Sequence, residues 1–357
     1  MKKKLVRVLL LFTAGIAVPI ILFFVYVFVN LTPQPAYRGP ITDHFDGKKF
    51  FNPDGAGLKT FSDLMKWQSS RRPPVWQPRR DVTPKAPADK FLTDPTAIRA
   101  TFVNHATVLI QVAGLNILTD PIWSERASPV GFAGPKRAHP PGIPFEELPP
   151  IHAVLLSHNH YDHMDLPTLK RLSTAHNPLV ICPLGNDLLL AKKKIGNTRA
   201  MDWWETSTLG GVEVACVPAQ HWSSRSIGDR NNALWGGFVL RGAFGVIYFA
   251  GDSGYTHGFK KIAEVYGAPR LALLPIGAYK PEWFMRGYHM SPVEAVLAHK
   301  EINAATSIAI HFGTFPLADD GRDEPAQVLL QALDEADIDR ARFRALQPGE
   351  ALDVPFQ

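Results

Sequence analysis

Cysteine is scarce in this chain: 357 residues contain only Cys182 and Cys216. Two thiols cannot frame a disulfide-stapled scaffold or a four-cysteine zinc site. Both lie in apolar, strand-like runs, which reads as buried free thiols, with a single bridge as the alternative in an oxidising compartment. Excess charge of one sign is scarce too. The formal net charge is +5, and Lys2, Lys3, Lys4 and Arg7 supply part of it at one extreme end. No broad basic surface follows from that, and no nucleic-acid partner is expected. Internal repeats are also lacking, which argues against solenoids and propellers. Apolar runs long enough to span a bilayer are confined to one place.

That place is residues 8–29, apolar apart from Thr13 and interrupted only by Gly15 and Pro19. About 22 residues at 1.5 Å rise cover roughly 33 Å, enough to cross the hydrocarbon core. The run ends Val27-Phe28-Val29-Asn30 without small residues placed for cleavage. It therefore reads as an uncleaved single-pass anchor over residues 1–31, with a cleaved signal as the alternative. The basic flank stays cytoplasmic by the positive-inside rule, which puts the catalytic part in the periplasm of a Gram-negative cell.

Residues 32–95 are rich in Pro, Arg and Trp, as in Arg71-Arg72-Pro73-Pro74-Val75-Trp76. Such a stretch reads as a linker and an arm lying over a domain, able to touch lipid headgroups. Residues 96–357 are more regular and read as one hydrolase domain. Residues 107–112 and 116–119 form a hairpin pattern around Ala113-Gly114-Leu115. Short apolar runs at 153–156, 179–182, 238–240, 246–250, 271–274 and 307–310 predict buried strands, and Val212, Val214 and Cys216 alternate as another. Helical patterns fall at 166–174, 291–301 and 325–336. Strands and helices mixed in this way indicate an α/β layered sandwich.

Thirteen histidines are present, and several gather where the apolar runs stop. One run ends in Ser157-His158-Asn159-His160-Tyr161-Asp162-His163; others lead to His221, to Gly251-Asp252 and to His311-Phe312-Gly313. The carboxyl ends of strands are where open α/β sheets place ligands. His158 and His160 can offer ring nitrogens to one cation, and Asp162 and His163 can turn to a second. Zinc suits imidazole plus carboxylate with an open position for water, although iron or manganese accepts the same donors. His221, Asp252 or His311 alone would be an ordinary hydrogen-bonding residue. Their shared position after strands makes them ligand candidates.

The cluster, with the later His, Asp and His, resembles the metallo-β-lactamase-fold superfamily. Within it the chain resembles the N-acylphosphatidylethanolamine-hydrolysing phospholipase D family. The resemblance rests on Leu118-Thr119-Asp120-Pro121, Gly134-Pro135-Lys136-Arg137, the His158–His163 segment, Asp202-Trp203-Trp204-Glu205, Gln220-His221-Trp222, Phe249-Ala250-Gly251-Asp252, Trp283-Phe284-Met285 and His311-Phe312-Gly313-Thr314-Phe315. It spans roughly residues 70 to 345.

The resemblance implies a four-layer αβ/βα sandwich and a site for two Zn2+. His158, His160 and His221 would hold one ion, and Asp162, His163 and His311 the other, with Asp252 bridging both. It places His289 beside the reacting phosphate, so Asp162, Asp252 and His289 are the candidate catalytic residues. Asp120 and His105 are either hydrogen-bond partners of metal-bound histidines or turn formers. Trp222, Trp235, Trp283 and Phe284 line an acyl-chain groove or belong to the core. His44, His139, His152, His176, His257 and His299 lack a motif and read as structural.

The expected activity is phosphodiester hydrolysis of a membrane phospholipid, releasing phosphatidic acid and an N-acylethanolamine, with a homodimer as a family-like assembly. The competing expectations are a lactone or soluble phosphodiester as substrate on the same fold, and a non-catalytic anchored binding protein.

Overall fold

Strands that are apolar on both faces need cover on both sides, and two stacked sheets with helices outside supply it. The computed structural model describes residue 18 and residues 34–55, 59–79 and 81–356. The first sheet begins with β1 (Ile98–Asn104), β2 (Thr107–Val112) and β3 (Leu115–Thr119), an antiparallel meander. It continues in parallel through β4 (Ala153–Leu155), β5 (Leu179–Pro183) and β6 (Thr198–Met201).

The second sheet has the same plan. An antiparallel half comprises β7 (Thr206–Leu209), β8 (Val212–Val217), β9 (Gly237–Gly242) and β10 (Gly245–Phe249). A parallel half adds β11 (Leu271–Pro275), β12 (Thr306–Ile310) and β13 (Phe343–Arg344). The last strand, β14 (Ala351–Asp353), returns to pair with β1 and brings the first sheet to seven strands, as many as the second.

Side-chain alternation divides the apolar residues between three layers. Phe102, Ile110, Leu155, Phe238, Leu273 and Ile310 fill the space between the sheets. Leu109, Val154 and Cys182 face the other way, toward Leu169 and Leu172 of α2 (Leu166–Ala175) and Leu189 and Leu190 of α3 (Asn186–Lys192). On the opposite outer side, Val239, Tyr248 and Leu274 meet α4 (Gly258–Tyr266), α6 (Pro292–Glu301) and α7 (Glu324–Glu335). This is the expected α/β sandwich of four layers. Both cysteines are buried and free, and burial pushes their thiols up, away from the reactive thiolate.

The arm is less extended than its composition suggests. It carries α1 (Phe61–Ser70), opened by a capping box in which Thr60 Oγ1 accepts from Asp63 N and Asp63 accepts from Thr60 N. Arm residues Phe45 and Phe50 are buried in the core between the sheets, and His44 stacks on Trp203 with ring centres 4.4 Å apart. A short α5 (Glu282–Met285) lies against α1, with Trp67 stacked on Phe284 at 4.8 Å.

The expected single-pass membrane placement needs correction. Among the described residues no helix is long and apolar enough to cross a membrane. The longest, α7, has 12 residues, or about 18 Å at 1.5 Å rise, against a hydrocarbon core of about 30 Å. The apolar run at 8–29 lies, apart from Val18, outside the described residues. Its assignment as an anchor is withdrawn, and the periplasmic placement that depended on it is withdrawn too.

Candidate metal centre

Strand ends from both sheets meet at one edge of the sandwich. The loop after β4 delivers His158, His160, Asp162 and His163, while β8, β10 and β12 lead into His221, Asp252 and His311. Two backbone features let the sheets come this close. Gly251 has φ +62°, and a Cβ there would lie 2.6 Å from the Ser157 Cβ, so only glycine brings the Asp252 strand against the histidine loop. His311 itself has φ +59°, a costly conformation for a side chain of its size. It is held there because its N–H donates to the His105 carbonyl at 2.8 Å, and His105 N–H donates to Thr314 Oγ1 at 2.8 Å.

The ring nitrogens sort into two groups around one carboxylate. His158 Nε2 lies 2.8 Å from His160 Nδ1, and His221 Nε2 is 3.3 Å from the same atom. In the second group His163, His311 and His105 place Nε2 at 3.1, 3.2 and 3.0 Å from Asp162 Oδ2. Between the groups, Asp252 Oδ2 lies 3.2 Å from His163, 3.1 Å from His311 and 3.7 Å from His221. His289 Nδ1 is 3.8 Å from it. All seven expected ligand residues and His289 therefore converge, and His105 joins the second group.

For three of the rings, His221, His163 and His158, a partner on the far side fixes a proton on Nδ1. His221 Nδ1 lies 2.9 Å from the Tyr288 carbonyl, which can only accept, so Nδ1 is the donor and Nε2 keeps a free lone pair. His163 Nδ1 sits 2.6 Å from Asp120 Oδ2 and donates to it. The carboxylates of Asp252, Asp162 and Asp120 outweigh burial and raise this ring well above its ordinary value, so Nε2 becomes a donor to a cation only once its proton leaves. Ser157 Oγ donates to Asp120 Oδ2 at 2.6 Å and so accepts from His158 Nδ1 at 2.8 Å. Asp120, fully buried at the end of β3, thus orients a histidine in each group. Of the two readings open for Asp120, the structure favours the hydrogen-bond partner.

Lone pairs facing one another across a buried space are a poor arrangement unless a cation sits between them. Buried His160 Nε2, His163 Nε2 and Asp252 Oδ1 have no hydrogen-bond partner, which fits a set of donors awaiting a metal. Burial drives His160 and His221 down to about 3, and drives His158, with help from His163, far below its ordinary value. These rings stay neutral and able to ligate. Burial opposes ionisation of Asp162 and Asp252, yet the neighbouring histidines keep both carboxyls deprotonated. The same carboxylates outweigh burial at His311 and lift it to about 9. A proton on that ring occupies the place a cation would take.

The centre opens into a cavity of about 480 Å³. Its walls are Leu64 and Trp67 of α1, Phe284 and Met285 of α5, Trp222 and Leu317, with Lys59 and Arg230 as cations. Of the four aromatic residues considered for a groove, Trp222 and Phe284 line it. Trp235 is 1% exposed and bonded through Nε1 to the Ala219 carbonyl, a core residue. Trp283 is 42% exposed beneath Lys66. Sequence reasoning missed the α1 wall, although Thr60 and Asp63 at capping-box spacing were a usable signal.

Known proteins fit this geometry. The Beta-lactamase superfamily domain matches residues 115–312, more than half of the chain. An N-acyl-phosphatidylethanolamine-hydrolyzing phospholipase D of Caenorhabditis elegans is 41% identical over 242 residues, covering 64% of this chain and 67% of that protein. The chain belongs to the N-acylphosphatidylethanolamine-hydrolysing phospholipase D family. An uncharacterised protein of Mycobacterium bovis is 34% identical over 325 residues, 90% of this chain and 84% of its own length. A metallo hydrolase of Ignicoccus hospitalis shares the fold, with a TM-score of 0.55 and 22% identity over 73% of this chain and all of that one. As a member of this phospholipase D family, the protein is a metallo-β-lactamase-fold, metal-dependent hydrolase.

Proposed function

We propose that the protein is a binuclear, zinc-dependent phosphodiesterase that cleaves N-acylphosphatidylethanolamine at a lipid surface, giving phosphatidic acid and an N-acylethanolamine. The observation that carries this reading is the shared carboxylate. Asp252 lies between two sets of buried donors, at the floor of a cavity whose walls are largely apolar. His158, His160 and His221 would hold one ion, Asp162, His163 and His311 the other, and Asp252 both. When bound, such a pair supplies water acidic enough to attack at neutral pH and positive charge against that building on the phosphate.

The chain's own groups do the rest. Asp252 is held as a carboxylate by its histidine neighbours and can accept a hydrogen bond from the attacking water. His289 faces the cavity, and burial takes it down to about 3, so it acts as a neutral N–H donor to a phosphate oxygen. It is well placed because the Tyr288 carbonyl accepts from His221 and Met290 N–H donates to the Ser253 carbonyl at 3.0 Å. Leu64, Trp67, Phe284 and Met285 exclude water and offer a surface to acyl chains, while Lys59 and Arg230 balance the phosphate charge. A soluble phosphodiester would leave that apolar wall without a partner.

The test is phosphatidic acid release from vesicles containing N-acylphosphatidylethanolamine. The metal-loaded wild type should release it and His158→Ala should not. Equal, negligible release from both would sink the proposal.

A further inference from the structure

The loop that carries the metal donors has a second face, and the chemistry there has the opposite sign. Behind Tyr161 lies a separate cavity of about 350 Å³. Lys170 of α2, Lys192 and Lys193 at the end of α3, and Arg225 line it, and among the described residues no carboxylate does. The three lysines form no ion pair among the described residues. The carboxylates close in sequence are saturated by loop donors and make no ion pair with the guanidinium or the lysines. Asp229 accepts from Ser224 Oγ, Arg225 N and Ser226 N, and Asp165 accepts from Trp123 N, Ser124 and Thr168 Oγ1.

Arg225 distinguishes this pocket from a chance meeting of surface lysines. It is 7% exposed, so its charge is largely removed from water. Its Nη1 donates to the carbonyls of Asn159 and Met164, each at 2.8 Å, and its guanidinium lies 3.9 Å above the Tyr161 ring. The Tyr161 hydroxyl donates in turn to the Arg225 carbonyl at 2.8 Å. The hydrogen bonds of this buried guanidinium go to carbonyls rather than carboxylates. Asp165, Asp229 and Asp162 act on it only through space, and three unpaired ammonium groups facing it across a concave wall tip the local field toward an anion. Several oxygen acceptors on one compact charge suit both the guanidinium fork and the ammonium points.

We propose that this pocket is a second, phosphate-recognising site, distinct from the metal centre, that takes a glycerophosphate-type mono- or diester. Lys170, Lys192 and Lys193 supply the charge, and Arg225 forms the buried end. Because the same guanidinium holds the carbonyls of Asn159 and Met164, an occupant acts on the backbone that carries His160. The phosphate can come from a free ester or from an anionic lipid headgroup, and the experiment separates the two.

The probes are sn-glycerol 3-phosphate, followed by calorimetry, and phosphatidylcholine vesicles with or without phosphatidylglycerol, followed by co-flotation. Each is applied to the full, metal-loaded chain and to its Lys170→Gln/Lys192→Gln/Lys193→Gln variant, whose metal content is measured in parallel. The metal centre is common to both proteins, so the difference between them reports the basic pocket whatever the enzyme's substrate proves to be. Affinity for one probe should fall at least about tenfold in the variant, since each basic side chain near an anionic surface contributes about a factor of five. A fall with sn-glycerol 3-phosphate identifies a free ester as an occupant, and a fall confined to phosphatidylglycerol vesicles identifies the headgroup. If the metal-loaded variant holds both probes as tightly as the wild type, the site does not exist.

Discussion

The floor and the roof of the main cavity are built on different principles. The floor consists of strand ends, and its donors are buried and interlocked: Asp120, His163, His311 and Asp252 are each 3% exposed or less. The roof is the arm. There α1 is held by Trp67 Nε1 and Arg71 Nε, each donating to Asp319 at 2.8 Å, and by the stack of Trp67 on Phe284. A few partly exposed polar contacts can break and re-form locally, whereas a buried charge network cannot lose a member without leaving another unpaired. In the proposed function the floor would set the chemistry and the roof would select what reaches it.

The largest expected effect lies in the floor. Asp252→Asn should lower kcat about a thousandfold or more and reduce the metal content of the purified protein, since several kcal/mol of charge stabilisation are lost. Metal analysis with single-turnover kinetics would show it, and wild-type values for both would remove Asp252 from its central place. Asp120→Asn comes next. It touches neither the cavity nor substrate, yet metal affinity should fall about 10- to 100-fold, read by competition with a chelator.

Roof substitutions should separate KM from kcat. With Trp67→Ala, KM for a long-chain lipid should rise about tenfold from lost apolar contact while kcat holds. A short-chain analogue should show little change, and equal losses on both would make the roof part of the chemistry. Asp319→Ala leaves the Trp67 and Arg71 donors without their acceptor and should loosen α1 by roughly 1–3 kcal/mol. Limited proteolysis around residues 59–79 would report it.

The smallest effect is a pH dependence of the arm's attachment. His44 Nε2 lies 2.8 Å from Asp202 Oδ1, and Nδ1 lies 2.6 Å from Asp43 Oδ1. Burial lowers the proton affinity of this ring, but the two carboxylates outweigh it and the net shift is upward. A raised folded-state value means the stabilisation is full below the unfolded value, about 6.5, and fades as pH rises through the folded one. Nicking near residues 34–52 should thus increase modestly as pH rises above about 6.5. His44→Gln should abolish that dependence; its persistence would assign the effect to another group.

The floor was legible in the sequence and the roof was not, for the same physical reason. The candidate metal donors follow strands, and strands buried on both faces announce themselves as short apolar runs; hence β4, β8, β10 and β12 were located with the residues that end them. The strands missed, such as β6 and β7, lie at sheet edges and carry half-exposed polar residues such as Thr198 and Ser207. In the arm, proline and arginine masked a ten-residue helix whose support comes from Phe284 and Asp319, more than 200 positions away. Contacts so distant leave no local periodicity. Asp120 was ambiguous because a Thr-Asp-Pro turn and a histidine-orienting carboxylate have the same local pattern; only the approach of His163 and Ser157 separates them.

One consequence of Asp120 concerns how the centre fills. Through Ser157 it steers His158, and directly it steers His163, so in a centre of two ions, as proposed, both cations would report to a single buried anchor. Setting one ring in its working pose spends that carboxylate's hydrogen bonds in the arrangement the other ring also needs. Uptake of the first ion would then prepare the berth for the second, and dilution of metal would empty the centre in one cooperative step.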